Sequence, residues 1–313
     1  MKMTPPGIAI VATGGYAPDS DAMLRAVDGL REHGHLVRNY YQAEQRYQRF
    51  GGTDDARLAQ LHDAARDPEI DIVIALRGGY GSSRLLESID FDLLASSGKL
   101  FVGHSDFTAL QLGLLARTGA SSFSGPMICD DFTRADRSQF TMAQFWDCIA
   151  RPQHQLDWEC KNSPDLAVEG TLWGGNLTML ATLVGTPYLP RIAGGILFLE
   201  EVNEHPYRIE RMLLQLLHAG VLEQQQALVL GDLGTVRLTD YENGYGFESM
   251  LAWSRQHLPL PVVTGLPVGH IRDKATLAVG ADATLTVSDG KASLAMHNYL
   301  SLASLALADA AAK

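Results

Sequence analysis

Cysteine is scarce in this chain: Cys129, Cys148 and Cys160 make an odd number with no CxxC spacing. That argues against structural zinc or a disulfide framework and for buried thiols in a reducing compartment. Positive charge is short as well. Lys and Arg number 25 against 36 Asp and Glu, leaving a formal net charge of −11. Such a balance argues against general affinity for nucleic acid or an anionic membrane surface. Long apolar runs are missing too. Near the N-terminus only the five residues 8–12, Ile-Ala-Ile-Val-Ala, are continuously apolar. That is too few for a signal-peptide core or a bilayer span. The expectation is a cytoplasmic protein without nucleic-acid or membrane partners.

What is present is a globular composition, 46% apolar and 19% charged, over 313 residues. That length suffices for two domains with separate cores. Residues 8–12 read as a buried strand followed by a Gly14-Gly15 turn. Met23, Ala26, Val27 and Leu30 follow at helical spacing, and Gly34 stops the run. Residues 71–76 and 100–102 are further apolar strands, with helical patterns at 55–66 and 83–89. Continuous apolar strands separated by helices predict a parallel sheet covered on both faces, a three-layer α/β domain over 1–146.

Polar residues 147–168, which include Pro152 and Pro164, read as a linker. Residues 169–313 read as a mixed α/β domain. It holds a helical pattern at 176–184, a buried strand at 195–199, and a helix opened by Pro206 and stopped by Gly220. Alternation at 276–279, 284–287 and 292–296 predicts antiparallel strands. An alanine-rich stretch at 303–312 reads as helical or frayed.

The most informative residue is Ser105. An apolar strand pattern stops at Gly103, and a helical one starts at Asp106. A serine at such a junction commonly serves as a helix N-cap. It can also present its hydroxyl beyond the sheet edge, where free helical N–H groups could bind an oxyanion. In parallel sheets ligands collect beyond the carboxyl ends of the strands, so Arg77-Gly-Gly-Tyr-Gly and His104-Ser105-Asp106 should share one rim. The former reads as a turn or a phosphate cradle. It lacks the full dinucleotide and P-loop patterns, which weakens a nucleotide reading.

Six stretches stand in order: Arg77-Gly-Gly-Tyr-Gly, Gly103-His-Ser-Asp-Phe-Thr-Ala, Phe123-Ser-Gly-Pro-Met, Glu169-Gly-Thr-Leu-Trp-Gly-Gly-Asn-Leu, Leu199-Glu-Glu-Val-Asn-Glu-His-Pro-Tyr-Arg and Gly265-Leu-Pro-Val-Gly-His. Together they resemble the LD-carboxypeptidases, the muramoyltetrapeptide carboxypeptidases of bacterial cell-wall recycling, from the first strand to about Val287. The resemblance implies a serine peptidase with a triad of Ser105, Glu200 and His270. It further implies an oxyanion hole from the N–H groups of Gly79 and Asp106, no metal or cofactor, and a homodimer. The implied reaction cuts the bond between the L-centre of meso-diaminopimelate and the terminal D-alanine of a murein tetrapeptide or muropeptide.

The residues carry readings of their own. Serine is a weak nucleophile that needs a base, and imidazole titrates near working pH. Yet His270 is one of ten histidines, and Glu200 beside Glu201 could be a solvated strand end. His104 adjoins Ser105 and is a rival base, but consecutive residues usually point in different directions, which favours a structural role. The local pattern also departs from the G-x-S-x-G elbow, with Phe107 in place of the second glycine. For the substrate's terminal carboxylate the candidates are Arg77, Arg272 and Lys274, each of which could equally be a solvated surface cation; arginine is favoured by its planar fork. Trp173 and Asn176 could wall the pocket, or could be core packing and a helix start. Two other functions stay open: a microcin-immunity-type hydrolase of peptidyl or aminoacyl nucleotides, with Trp173 stacking on the base, and a non-catalytic two-domain small-ligand binder.

Overall fold

The computed structural model describes residues 5–311, with side chains to Leu307. The outermost ends of the expected 1–146 and 169–313 regions, and Ala312 of the alanine-rich stretch, lie outside the described residues. The first half contributes strands β1 (Ile8–Val11), β2 (Val37–Asn39), β3 (Ile72–Ala75), β4 (Leu100–Gly103) and β5 (Ser122–Ser124). Between and after them run α1 (Ser20–Glu32), α2 (Asp54–Arg66), α3 (Phe91–Ser96), α4 (Thr108–Thr118) and α5 (Gln139–Ala150). Side chains of Asp19, Thr53, Asp90 and Ser138 accept backbone N–H groups to start α1, α2, α3 and α5. These caps satisfy donors that a helix's first turn leaves free. β1, β3 and β4 are buried along their whole length, as a sheet covered on both faces requires. The helical pattern at 83–89 is realised only as a short 3₁₀ turn, Ser82–Arg84.

The second half adds β6 (Gln153–Glu159), β7 (Leu166–Asn176), β8 (Gly195–Glu200), β9 (Gln225–Leu230), β10 (Val262–Val263), β11 (Leu277–Val279), β12 (Asp282–Ser288) and β13 (Lys291–His297). Its helices are α6 (Leu177–Thr182), α7 (Pro206–His218), α8 (Phe247–His257) and α9 (Leu302–Ala311). The first sheet runs β11-β5-β4-β3-β1-β2, parallel except at β11. The second runs β10-β9-β8-β7-β12-β13-β6. It is parallel from β10 to β7 and antiparallel from β7 to β6. The chain is therefore two α/β regions, the first mostly parallel and the second mixed. Two buried clusters each draw on both sheets: Ile10 and Val102 pack in one with Phe198 and Leu285, and Val11 and Val73 in the other with Leu197 and Leu228.

Two expectations change. The polar stretch 147–168, expected as a linker, instead holds the end of α5, all of β6 and the start of β7. β6 is the sheet's edge and buries only Leu156 fully, so its sequence lacks the apolar signature of a strand. Residues 277–279 are antiparallel as expected, but they extend the first sheet against β5 rather than joining the second. Alternation reports a strand and says nothing of its partner. Among the described residues, no helix is long and apolar enough to cross a membrane.

Candidate active site

β4 ends at Gly103, and the chain turns at Ser105 with φ of +60°, a left-handed conformation rare for a residue with a side chain. Holding it costs on the order of 1–3 kcal/mol, and the surroundings show what enforces it. The neighbouring Asp106 is buried, and its carboxylate accepts the N–H groups of Gly81 (3.2 Å) and Ser82 (2.9 Å). Burial pushes this carboxyl's pKa up, and the hydrogen bonds from residues 81 and 82 partly offset the rise. The clasp draws the loop after β3 onto the turn after β4. Gly78 makes this approach possible. A β-carbon there would stand 2.8 Å from Ser105 Oγ and 2.9 Å from its Cβ. Gly79 follows with φ of +98°, at the same rim. A β-carbon on Gly103 would meet the Phe107 ring at 2.7 Å, so in this turn the phenylalanine packs where the usual elbow has its second glycine.

Glu200 is the last residue of β8 and is buried. Its Oε2 accepts the Nδ1–H of His270 at 2.8 Å. That bond fixes the tautomer and leaves the lone pair of His270 on Nε2. Burial lowers the pKa of His270, but the hydrogen bond and charge of Glu200 outweigh it, and the net shift is upward from 6.5. Glu200 Oε1 is buried without a hydrogen-bond partner among the described residues. The His270 ring lies edge-on to that of His104, with centroids 5.2 Å apart at 75°. The Glu200–His270 pair, drawn from the second half, thus abuts the residue that immediately precedes Ser105.

His104 itself is committed. Its Nδ1–H donates to the Gly125 carbonyl at 2.9 Å. Burial, reinforced by the charges of Lys274 and His270, holds its pKa well below 6.5. A neutral, enclosed imidazole suits a structural role better than that of a rival base. The segment bearing His270 is fastened to the first turn of α5. Thr141 Oγ1 donates to the Arg272 carbonyl (2.9 Å) and accepts the Lys274 N–H (2.9 Å).

The remaining candidates are placed differently from one another. Trp173 is fully buried and donates its Nε1–H to Gln225 Oε1 at 2.8 Å. It is core, which removes the basis for a base-stacking surface. Asn176 is buried too. Its side chain caps α6 at the Met179 N–H and donates to Glu201 Oε1, while its own N–H donates to Thr108 Oγ1. Glu201 is no solvated strand end; its carboxylate also accepts Thr178 N–H and Oγ1–H and Val202 N–H. Lys274 is buried in an ion pair with Asp131 at 2.9 Å. Arg272 is exposed and pairs with Asp136 at 3.4 Å. Arg77 is half-buried with its Nη1 against Gly15. Sequence reasoning missed Asp131 as the partner of Lys274, because no local pattern links positions so far apart.

Two family models match the chain: the LD-carboxypeptidase N-terminal domain over residues 8–125 and the LD-carboxypeptidase C-terminal domain over residues 169–285. The murein tetrapeptide carboxypeptidase of Pseudomonas aeruginosa is 34% identical over 281 residues, covering 85% of this chain and 89% of that protein. The probable murein peptide carboxypeptidase of Bacillus subtilis is 30% identical over 275 residues, covering 87% and 86%. Among solved structures, muramoyltetrapeptide carboxypeptidase from Oxalobacter formigenes superposes with a TM-score of 0.89 at 53% identity, covering 94% of this chain and 99% of that one. The microcin C7 self-immunity protein MccF, at 22% identity and a TM-score of 0.84 over 96% and 98%, shares the fold. The chain belongs to the LD-carboxypeptidase family.

Proposed function

Proceeding from that membership, we propose that this serine carboxypeptidase releases the terminal D-alanine of murein tetrapeptide by cutting the bond after the L-centre of meso-diaminopimelate. The observation that carries the reading is the 2.8 Å Glu200–His270 hydrogen bond packed against His104, next to the strained Ser105.

Each step has a residue suited to it. Ser105 Oγ attacks the diaminopimelate carbonyl carbon as His270 Nε2 takes its proton. Glu200 holds Nδ1–H and stabilises the imidazolium that forms. The negative oxygen of the tetrahedral intermediate is received by the N–H groups of Gly79 and Asp106. A donor of this kind contributes roughly 3 kcal/mol to the transition state. His270 then returns the proton to the departing D-alanine amine, and a water activated by the same imidazole releases the tripeptide from Ser105.

Arg77 is the cation best suited to hold the substrate's terminal carboxylate. Lys274 is buried and paired with Asp131, and Arg272 is engaged by Asp136. A cytoplasmic location and a homodimer belong to the same proposal. The three buried free thiols suit a reducing compartment.

Incubation with murein tetrapeptide followed by mass spectrometry tests the reading. The expected product is the tripeptide plus free D-alanine, with none formed by Ser105→Ala. Unchanged tetrapeptide, or turnover that persists in Ser105→Ala, contradicts it.

A further inference from the structure

We propose that Arg46, Arg49 and Arg77 form a basic track along the carboxyl rim of the first sheet, drawing the anionic carboxyl end of the peptide substrate toward Ser105. The proposal rests on the carboxypeptidase reading above and extends it to residues in the loop after β2.

The track follows from strand order. Ser105 lies after β4, Arg77 after β3, the Gly14-Gly15 turn after β1, and Arg46 and Arg49 after β2. These four strands are consecutive neighbours. Three steps of about 4.8 Å each put the outer arginines about 14 Å from the nucleophile's strand. The loops at this rim are joined in sequence. Gly51 N–H donates to the Gly14 carbonyl (3.1 Å), Gly15 N–H donates to the Gly78 carbonyl (2.9 Å), and Gly78 abuts Ser105.

The outer arginines are also seated. A tight turn with Gln48 at φ +53°, closed by bridging between Tyr47 and Phe50, holds Arg49 within it and Arg46 just before it. The Arg46 guanidinium lies 5.6 Å from the centre of the Tyr16 ring, and that of Arg49 lies 5.8 Å from the centre of the Tyr80 ring. Cation–π seating holds a guanidinium in place without neutralising it. Other arginines nearby are held by a carboxylate: Arg57 and Arg84 both pair with Asp54. Among the described residues, no carboxylate stands within ion-pair distance of Arg46, Arg49 or Arg77, Glu44 in the same loop included.

A chain of net charge −11 repels an anionic peptide over most of its surface. Unneutralised cations concentrated on one rim give the approaching carboxylate a preferred direction. This field should depend on salt, because the screening length falls from about 30 Å at 0.01 M to about 3 Å at 1 M.

The test is kcat/KM for murein tetrapeptide at these two salt concentrations. It compares wild type, Arg46→Gln/Arg49→Gln, and Arg117→Gln/Arg151→Gln, which removes the same charge near the ends of α4 and α5. For two charges acting over about 14 Å, kcat/KM of the rim variant should fall about three- to tenfold at low salt. Its kcat should be unchanged, the difference should vanish at high salt, and the control should match wild type. No loss at low salt, an equal loss at both salts, or the same loss in the control overturns the track. A wild type that releases no alanine overturns the proposed function and the track with it. An active wild type with an unaffected rim variant overturns the track alone.

Discussion

The turn at Ser105 and the Glu200–His270 pair, proposed as nucleophile and acid–base arm, approach each other at His104 but are held by different physics. Ser105 is positioned by backbone: a left-handed φ, a glycine that admits close approach, and the Asp106 clasp on residues 81 and 82. All of this lies in two neighbouring strand-end loops. Glu200 and His270 are 70 positions apart. Side chains position them: a charge-assisted hydrogen bond, the edge of His104, and a segment fastened to α5 beside the buried Lys274–Asp131 pair. The first device stores strain, whereas the second balances charge against burial. Changes to the turn should therefore alter rate without moving the pH profile. Changes to the arm should move the pH profile or the stability.

The largest expected effect separates strain from function. Ser105→Gly should lower turnover by on the order of 10⁶-fold, as loss of a nucleophile does. It should also stabilise the fold by about 1 kcal/mol, since glycine adopts the left-handed turn freely. Turnover and thermal melting of the same preparation check both halves. A destabilised variant would show that the turn is not strained.

Next comes the arm. Glu200→Gln should cost on the order of 10⁴ in kcat, by analogy with loss of the triad carboxylate in serine proteases. It should also displace the acidic limb of the kcat/KM profile. The base must be neutral to act, so activity falls as pH drops through the pKa of His270. That pKa is raised above 6.5 by Glu200. Without the carboxylate's charge, burial and Lys274 pull downward against only the smaller upward pull of Glu201, so the midpoint should move to lower pH. A midpoint that stays in place would mean that Glu200 does not set the charge of His270.

Stability probes the same region. Lys274→Met leaves Asp131 buried without its cation, which typically costs about 3–5 kcal/mol. Lys274→Met/Asp131→Leu should recover most of that loss in denaturant unfolding. The smallest effect returns to the turn. Gly78→Ala drives a β-carbon against Ser105 Oγ, and displacement of a reacting atom by about 1 Å costs on the order of 10²-fold in rate. Its pH midpoint should match wild type. A shifted midpoint would erase the distinction between the two devices.

How much was legible in the sequence divides along the same line. β1, β3 and β4 announce themselves because both faces are buried, and the strand-to-helix switch at Ser105 is local. Glu200 and His270 are candidates only because several motifs in order resemble a family; neither stands out by its immediate neighbours. For Trp173 and Asn176 the sequence leaves pocket wall and core packing with a helix start both open; burial and their partners Gln225 and Glu201 decide for the structural reading. Lys274 looked free because Asp131, which pairs with it, is distant in sequence. β6 escaped notice because an edge strand can stay polar. β11 was legible as a strand, while its place beside β5 is decided by tertiary packing.

The claim on which the account depends is that His270 activates Ser105. Labelling with a serine-directed phosphonate, followed by peptide mass mapping, tests it most directly. The wild type should carry the adduct on Ser105, and His270→Ala should be labelled far more slowly while remaining folded. An adduct on another residue, or labelling of Ser105 at full rate without the imidazole, would contradict the account.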